Sequence, residues 1–157
     1  MWREFKNEAE IELGLLHRLL DEYKPLFEKA KSAPPDRVEL LALAGLLQSF
    51  YNGVEIILKR AEKTSSGTVP RGASWHAQLL DGVSHPAASR PPLISTELRD
   101  RLKPYLEFRH VFRHSYSFQI EWRRMEPLVL DCADTLIQLE TELTRFFDPT
   151  KRKGGQP

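Results

Sequence analysis

Arg109, His110, Arg113, His114 and Tyr116 fall within one eight-residue stretch, RHVFRHSY at 109–116. Arginine offers a permanently charged, forked set of donors that suits phosphate oxygens. Histidine gains or loses a proton near neutral pH. Together the two side chains suffice, in kind, to cleave RNA without a metal ion. One histidine takes the 2′-hydroxyl proton or protonates the leaving oxygen, and arginine stabilises the charge that builds at phosphorus. Local charge points the same way: residues 99–124 hold seven Lys/Arg against three Asp/Glu, which would attract a phosphate-rich ligand.

These residues need a frame, and apolar periodicity supplies one. Four segments repeat apolar residues at steps of three and four, the mark of helices packed in a bundle. The first runs from Phe5 through Leu13 and Leu20 to Phe27, with Pro25 predicted to kink or end it. Asp36 and Glu39 form a D-x-x-E cap before the second, whose seam is Leu40, Leu43, Leu47, Phe50, Val54, Ile57. Gly45 and Gly53 inside that helix suggest a close approach by another backbone. Residues 64–95 read as a long connection carrying a short helix at Trp75–Leu80. Ser95 caps the third long helix, with the seam Leu98, Leu102, Tyr105, Arg109, Phe112, Tyr116. Pro127 is expected to start the fourth, with the seam Val129, Cys132, Leu136, Leu139, Leu143, Phe146. The expected fold is therefore an all-α, up-and-down four-helix bundle with one additional short helix.

The third helix carries two anomalies. Arg109 occupies a seam position where leucine would be usual, and a buried guanidinium needs a carboxylate, a ligand or a subunit interface. A second apolar stripe, Phe108, Val111, Ser115 and Phe118, runs along another side. That favours a homodimer contact through this helix. On a continuous helix Arg109 and His114 lie about 140° apart around the axis, so they converge only if the helix ends between them or two chains share one site.

Composition sets the wider bounds. The 157 residues are 41% hydrophobic and 29% charged, with a formal net charge of +1. They suit one globular domain at 1–148 with a disordered tail at 149–157. The single cysteine, Cys132, excludes an internal disulfide and fits a reducing compartment. The charged start MWREFKNEAEIE is unlike a signal-peptide core, and no uninterrupted apolar run approaches membrane-spanning length. A cytoplasmic location without membrane contact is the expectation.

Arg109, His114 and Tyr116 together make an R-x4-H-x-Y arrangement that resembles the signature of the HEPN superfamily, and specifically of HepT-like ribonuclease toxins. In that R-x(4–6)-H motif the residue after arginine is commonly Asn, Asp or His, and here it is His110. LLQSFYNGVEIILKR (46–60), SWHAQLL (74–80) and LEFRHVFRHSYSFQIEWRRMEPLV (106–129) resemble one HepT-like subgroup in the same order. The resemblance implies a dimer whose motifs face each other across a composite ribonuclease site with no metal or cofactor. It also implies a type VII-like toxin–antitoxin pair. The antitoxin would be a minimal nucleotidyltransferase that silences the toxin by adenylylating the motif tyrosine. Arg109 and His114 are then catalytic, His110 is an auxiliary contact, and Tyr116 is the modification acceptor. A non-catalytic module of the same fold, holding the nucleotidyltransferase or a phosphate ligand, is the alternative.

Each position also has a plainer reading. Arg109 could form a structural ion pair with Glu55, and His114 could simply cap a helix C-terminus. Tyr116 could be packing on the seam, and Arg113 solvated surface rather than a phosphate contact. Asn52 and Glu55, one turn apart, could line the same cleft. His110 and His114 have a metal-capable i, i+4 spacing, but no third ligand is near, since His76 and His85 lie in the 64–95 connection. Trp75 and His76 read as pins that hold this connection to the bundle rather than as base contacts.

Overall fold

The computed structural model describes residues 1–148 and 150; the expected tail at 149–157 otherwise lies outside the described residues. Six α-helices follow in order: α1 Trp2–Glu22, α2 Lys24–Ser32, α3 Arg37–Ser66, α4 Trp75–Gly82, α5 Thr96–His114 and α6 Trp122–Phe147. The four long ones close a ring in which α1 packs on α3, α3 on α5, α5 on α6 and α6 on α1. The short α4 lies against α3 and α5. The all-helical bundle expected from periodicity is the one observed, with no named strand among the described residues.

Local chemistry explains most boundaries. Pro25 sits in the first turn of α2, and the chain turns at Tyr23, so the first predicted helix is two. The Asp36–Glu39 capping box forms in both directions, with Glu39 N donating to Asp36 Oδ1 at 2.9 Å and Asp36 N donating to Glu39 Oε1 at 3.1 Å. Gly67 ends α3 with φ +80°, a left-handed conformation that a side chain would resist. Ser95 Oγ accepts from Leu98 N at 3.0 Å and starts α5.

Two expectations about proline and glycine are corrected. Pro127 does not begin α6; the helix starts five residues earlier, at Trp122. Proline there costs only the bond to the Arg123 carbonyl in the first turn, and both residues are exposed, so water satisfies that oxygen. Gly45 admits no close neighbour, whereas a Cβ on Gly53 would stand 2.5 Å from Leu16 Cδ2. The close approach is real at one glycine, and a side chain of α1 makes it rather than a backbone.

Helix α3 is the centre of the core. Leu43, Leu47, Phe50, Tyr51, Val54, Ile57 and Leu58 are fully buried. By length and composition it could cross a bilayer, its most apolar window having a mean hydropathy of 1.4, but 61% of that window is buried inside the bundle. At about 25 cal/mol per Å² of apolar surface, each such leucine or isoleucine contributes roughly 2 kcal/mol relative to exposure. Cys132 is free and buried in the same core, and burial pushes its thiol pKa far up.

The 64–95 connection is built rather than loose. α3 runs on to Ser66, past the expected boundary at 64. Leu79, Leu80, Val83, Leu93 and Ile94 are buried. The Val83 carbonyl accepts from Leu93 N at 2.9 Å, and Ala87 and Arg90 exchange two backbone bonds at 2.9 and 3.2 Å. Arg90, 6% exposed, locks the segment by donating to Glu62 Oε2 at 3.0 Å and to the His85 carbonyl at 3.0 Å.

Candidate functional site

Two glutamates on α3, Glu55 and Glu62, lie about two turns apart, and each is met by an arginine. Glu55, 7% exposed, takes Arg109, which is 3% exposed. Arg109 Nη1 donates to Glu55 Oε1 at 3.2 Å and Nη2 donates to Glu55 Oε2 at 3.1 Å, a two-pronged contact. Nη1 also donates to Asn52 Oδ1 at 2.8 Å. The guanidinium carbon lies 4.9 Å from the Tyr51 ring centroid. Burial, with the Glu55 charge adding to it, pushes the Tyr51 phenol pKa far up, so this ring stays neutral beneath the cation.

The fourth member of this cluster comes from the connection. His76 Nδ1 lies 2.6 Å from Glu55 Oε2 and 2.8 Å from Arg109 Nη2. α4 holds it there: Leu79 and Leu80 are buried, Arg99 of α5 donates to Asp81 Oδ1 at 2.9 Å, and the Trp75 ring stacks on the imidazole at 3.7 Å. Lys59 Nζ sits 5.1 Å from the Trp75 ring centroid. Trp75 and His76 do pin the connection to the bundle, as read from the sequence, and they do so from the short helix expected there. His76 does so by joining Arg109.

Around this cluster α4 and α5 enclose an open groove of about 1200 Å³, lined by His76, Arg109, His110, Arg113 and His114 among others. The ion pair with Glu55, the plainer reading of Arg109, is therefore formed, and Arg109 still borders the groove. Asn52 and Glu55 do not line it, contrary to the cleft reading; they touch it only through Arg109. His110, Arg113 and His114 are exposed in the last turns of α5. His110 and His114 stack obliquely, ring centroids 4.6 Å apart. The helix does not end between Arg109 and His114; it ends at His114, so one chain shows the arginine deep and the histidine at the rim.

Tyr116 is not a seam residue. Ser115 turns extended, and Tyr116 is 72% exposed, its ring parallel to Phe118 at 5.5 Å. Its main-chain N–H donates to Gln119 Oε1 at 2.8 Å in a short 3₁₀ turn, Ser117–Gln119. Packing into the core is thereby excluded as its role. The second apolar stripe divides: Phe108 is buried within the chain, because α5 packs on α3, α4 and α6 at once. Val111 (43% exposed) and Phe118 (70%) stay open to solvent. Among the described residues no group of three or more His, Cys, Asp or Glu has a metal-binding arrangement.

The model of the HepT-like protein family matches residues 42–150, from the start of the core of α3 through the whole of α6. The chain belongs to the HepT-like family. No curated relative and no solved structure matches it. In this HepT-like protein of the HEPN superfamily the R-x4-H-x-Y stretch, most of α3 and the Trp-His helix lie inside the matched span. The HepT-like motif arginine is thus held by α3 and α4, while its histidines and tyrosine are presented outward. The sequence reading placed Arg109, His110 and His114 correctly on one helix but missed His76. The available signal was Glu55 itself: a buried carboxylate has lone pairs for more donors than one guanidinium fork supplies.

Proposed function

We propose that this HepT-like protein is an endoribonuclease toxin that works without a metal ion as a homodimer. Its partner in a toxin–antitoxin pair would be a minimal nucleotidyltransferase that silences it at Tyr116, and its place is the cytoplasm. Arg109 and His114 are the catalytic pair, with His110, Arg113 and Asn52 as auxiliary contacts. The observation that carries the reading is the groove itself: three arginines and three histidines border one open cavity of about 1200 Å³. Arginine there stabilises charge at phosphorus, and the histidines move protons.

Dimerisation follows from the same arrangement. One chain holds Arg109 in the interior and His114 at the rim, so a partner copy docking on the exposed Val111–Phe118 side brings a second motif to face the first. The Tyr116 hydroxyl, at the end of an exposed and stacked ring, is open to a modifying enzyme. A second reading has its own support: Glu55 and Asn52 already engage both Nη groups of Arg109. A module that binds a nucleotidyltransferase or a phosphate ligand without turnover needs nothing more.

The deciding experiment expresses the chain alone in a bacterial host and assays the purified protein on single-stranded RNA. Wild type should arrest growth and cleave, and His114→Ala should do neither while keeping its fold and oligomeric state, because His114 is exposed. RNA affinity with no cleavage by wild type selects the non-catalytic module. Incubation with the nucleotidyltransferase and ATP should add adenylate to wild type and not to Tyr116→Phe.

A further inference from the structure

Proton positions at the Glu55–His76–Arg109 cluster lead to a further assignment. His76 Nδ1 has a carboxylate oxygen at 2.6 Å and a guanidinium nitrogen at 2.8 Å. One ring nitrogen cannot donate to the first and accept from the second at once. Arginine keeps its protons, so only an N–H on Nδ1 gives the carboxylate a donor at that distance; a lone pair there would face a full negative charge. The shorter, charge-assisted contact therefore fixes the tautomer. Two consequences follow. One Nη2 hydrogen of Arg109 is left without an acceptor among the described residues. The free lone pair of neutral His76 lies on Nε2, which bonds to no described residue, on a side chain that is 30% exposed and lines the groove.

Resting on the ribonuclease reading, we infer that His76 is a second catalytic acid–base group, with Glu55 as the residue that positions it and sets its tautomer. The chemistry requires two such groups. The 2′-oxygen attacks phosphorus as its proton passes to one imidazole, and a 2′-O–P bond forms. The P–O5′ bond breaks as the leaving oxygen takes a proton from the other. The products are a 2′,3′-cyclic phosphate and a 5′-hydroxyl end, with no water consumed. His114 at the groove rim and His76 on its inner wall divide these transfers, and the Arg109 guanidinium beside His76 supplies positive charge to the phosphate. The arrangement has a carboxylate behind the ring, a free nitrogen in front and a cation alongside, which orients an imidazole for proton transfer.

The test uses His76→Asn, because an asparagine amide replaces the Nδ1–H donor to Glu55 yet cannot titrate. The expected result is a kcat lower by about 100-fold, within the usual range for one acid–base group, with KM and melting temperature close to wild type. One limb of the pH profile of kcat/KM should flatten. The groups facing His76 are Glu55 of α3, Arg109 of α5 and, over the adjoining Trp75, Lys59, with Asp81 further along its own helix; all of these remain in the variant. If the variant melts early, His76→Ala with added imidazoles takes its place, and its rate should follow the basicity of the imidazole supplied. His76→Asn cleaving within about threefold of wild type, with both limbs kept, overturns the assignment and leaves the ribonuclease standing. A wild-type protein that cleaves nothing overturns both.

Discussion

Two buried arginines, Arg90 and Arg109, each meet a glutamate of α3, and they differ in everything else. Arg90 is sealed by the chain's own carbonyls, those of His85, Pro91 and Gly82, in addition to Glu62. Main-chain oxygens at fixed points of a folded connection cannot move aside. Arg109 is held by side chains only: Glu55 and Asn52 accept from it, and His76 lies against it. Side chains can rotate, and one of them, His76, borders with Arg109 a groove open to solvent. The same residue type, at similar burial and against the same helix, thus serves as a rivet in one place and as an exchangeable contact in the other. Burial and pairing alone do not separate structural from functional arginines; the nature of the partners does.

The comparison can be broken by substitution. Arg109→Ala should cost the most: about 10² to 10³ in cleavage rate for a lost charge-stabilising donor, plus roughly 3 kcal/mol of stability for a stranded Glu55. Arg109→Lys, with charge but no fork, should recover stability before rate. Arg90→Ala should lower stability by about 3 kcal/mol in urea unfolding yet leave the rate per folded molecule unchanged; a rate loss at matched folded fraction would erase the distinction. A third arginine marks the weak end. Arg101 holds Asp131 bidentately at 2.8 and 2.5 Å, with the pair partly exposed. The hydrogen bonds from Arg101 hold the Asp131 carboxyl below its ordinary value. Its contribution is therefore complete above the unfolded carboxylate value near pH 4 and fades as pH falls through the lower folded value. Melting curves of wild type and Asp131→Asn should differ by under about 1 kcal/mol at pH 6 and converge in strong acid.

The fold was legible because it depends on local signals. Seam leucines, the Asp36–Glu39 box and the Ser95 cap each act within one or two turns. Pro127 misled because a proline in a first turn and one just inside it look alike when the affected carbonyl faces water. The end of α5 was missed for a related reason: nothing local marks Ser115 as extended, and Tyr116 fits the seam spacing it does not occupy. The motif residues were legible as types. Their depths were not, because the position of Arg109 depends on partners 33 to 57 residues away. His76 was legible only as a pin, since its role as Arg109's neighbour appears once α4 is laid beside α5.

Leu16 fills the space that a side chain on Gly53 would need, and Gly53 adjoins Asn52 and precedes Glu55 by two residues. Leu16 lies on α1, outside the span shared with the HepT-like family. The N-terminal helix, which contributes no chemical group to the groove, therefore sets the seating of the helix that grips Arg109. Phe5, Ala9, Leu13 and Leu20 of the same helix are buried as well, but Leu16 is the one that meets the backbone of α3 beside Asn52 and Glu55. Grafting a foreign leader helix in its place would test whether the groove is held in register by a helix outside the family-matched span.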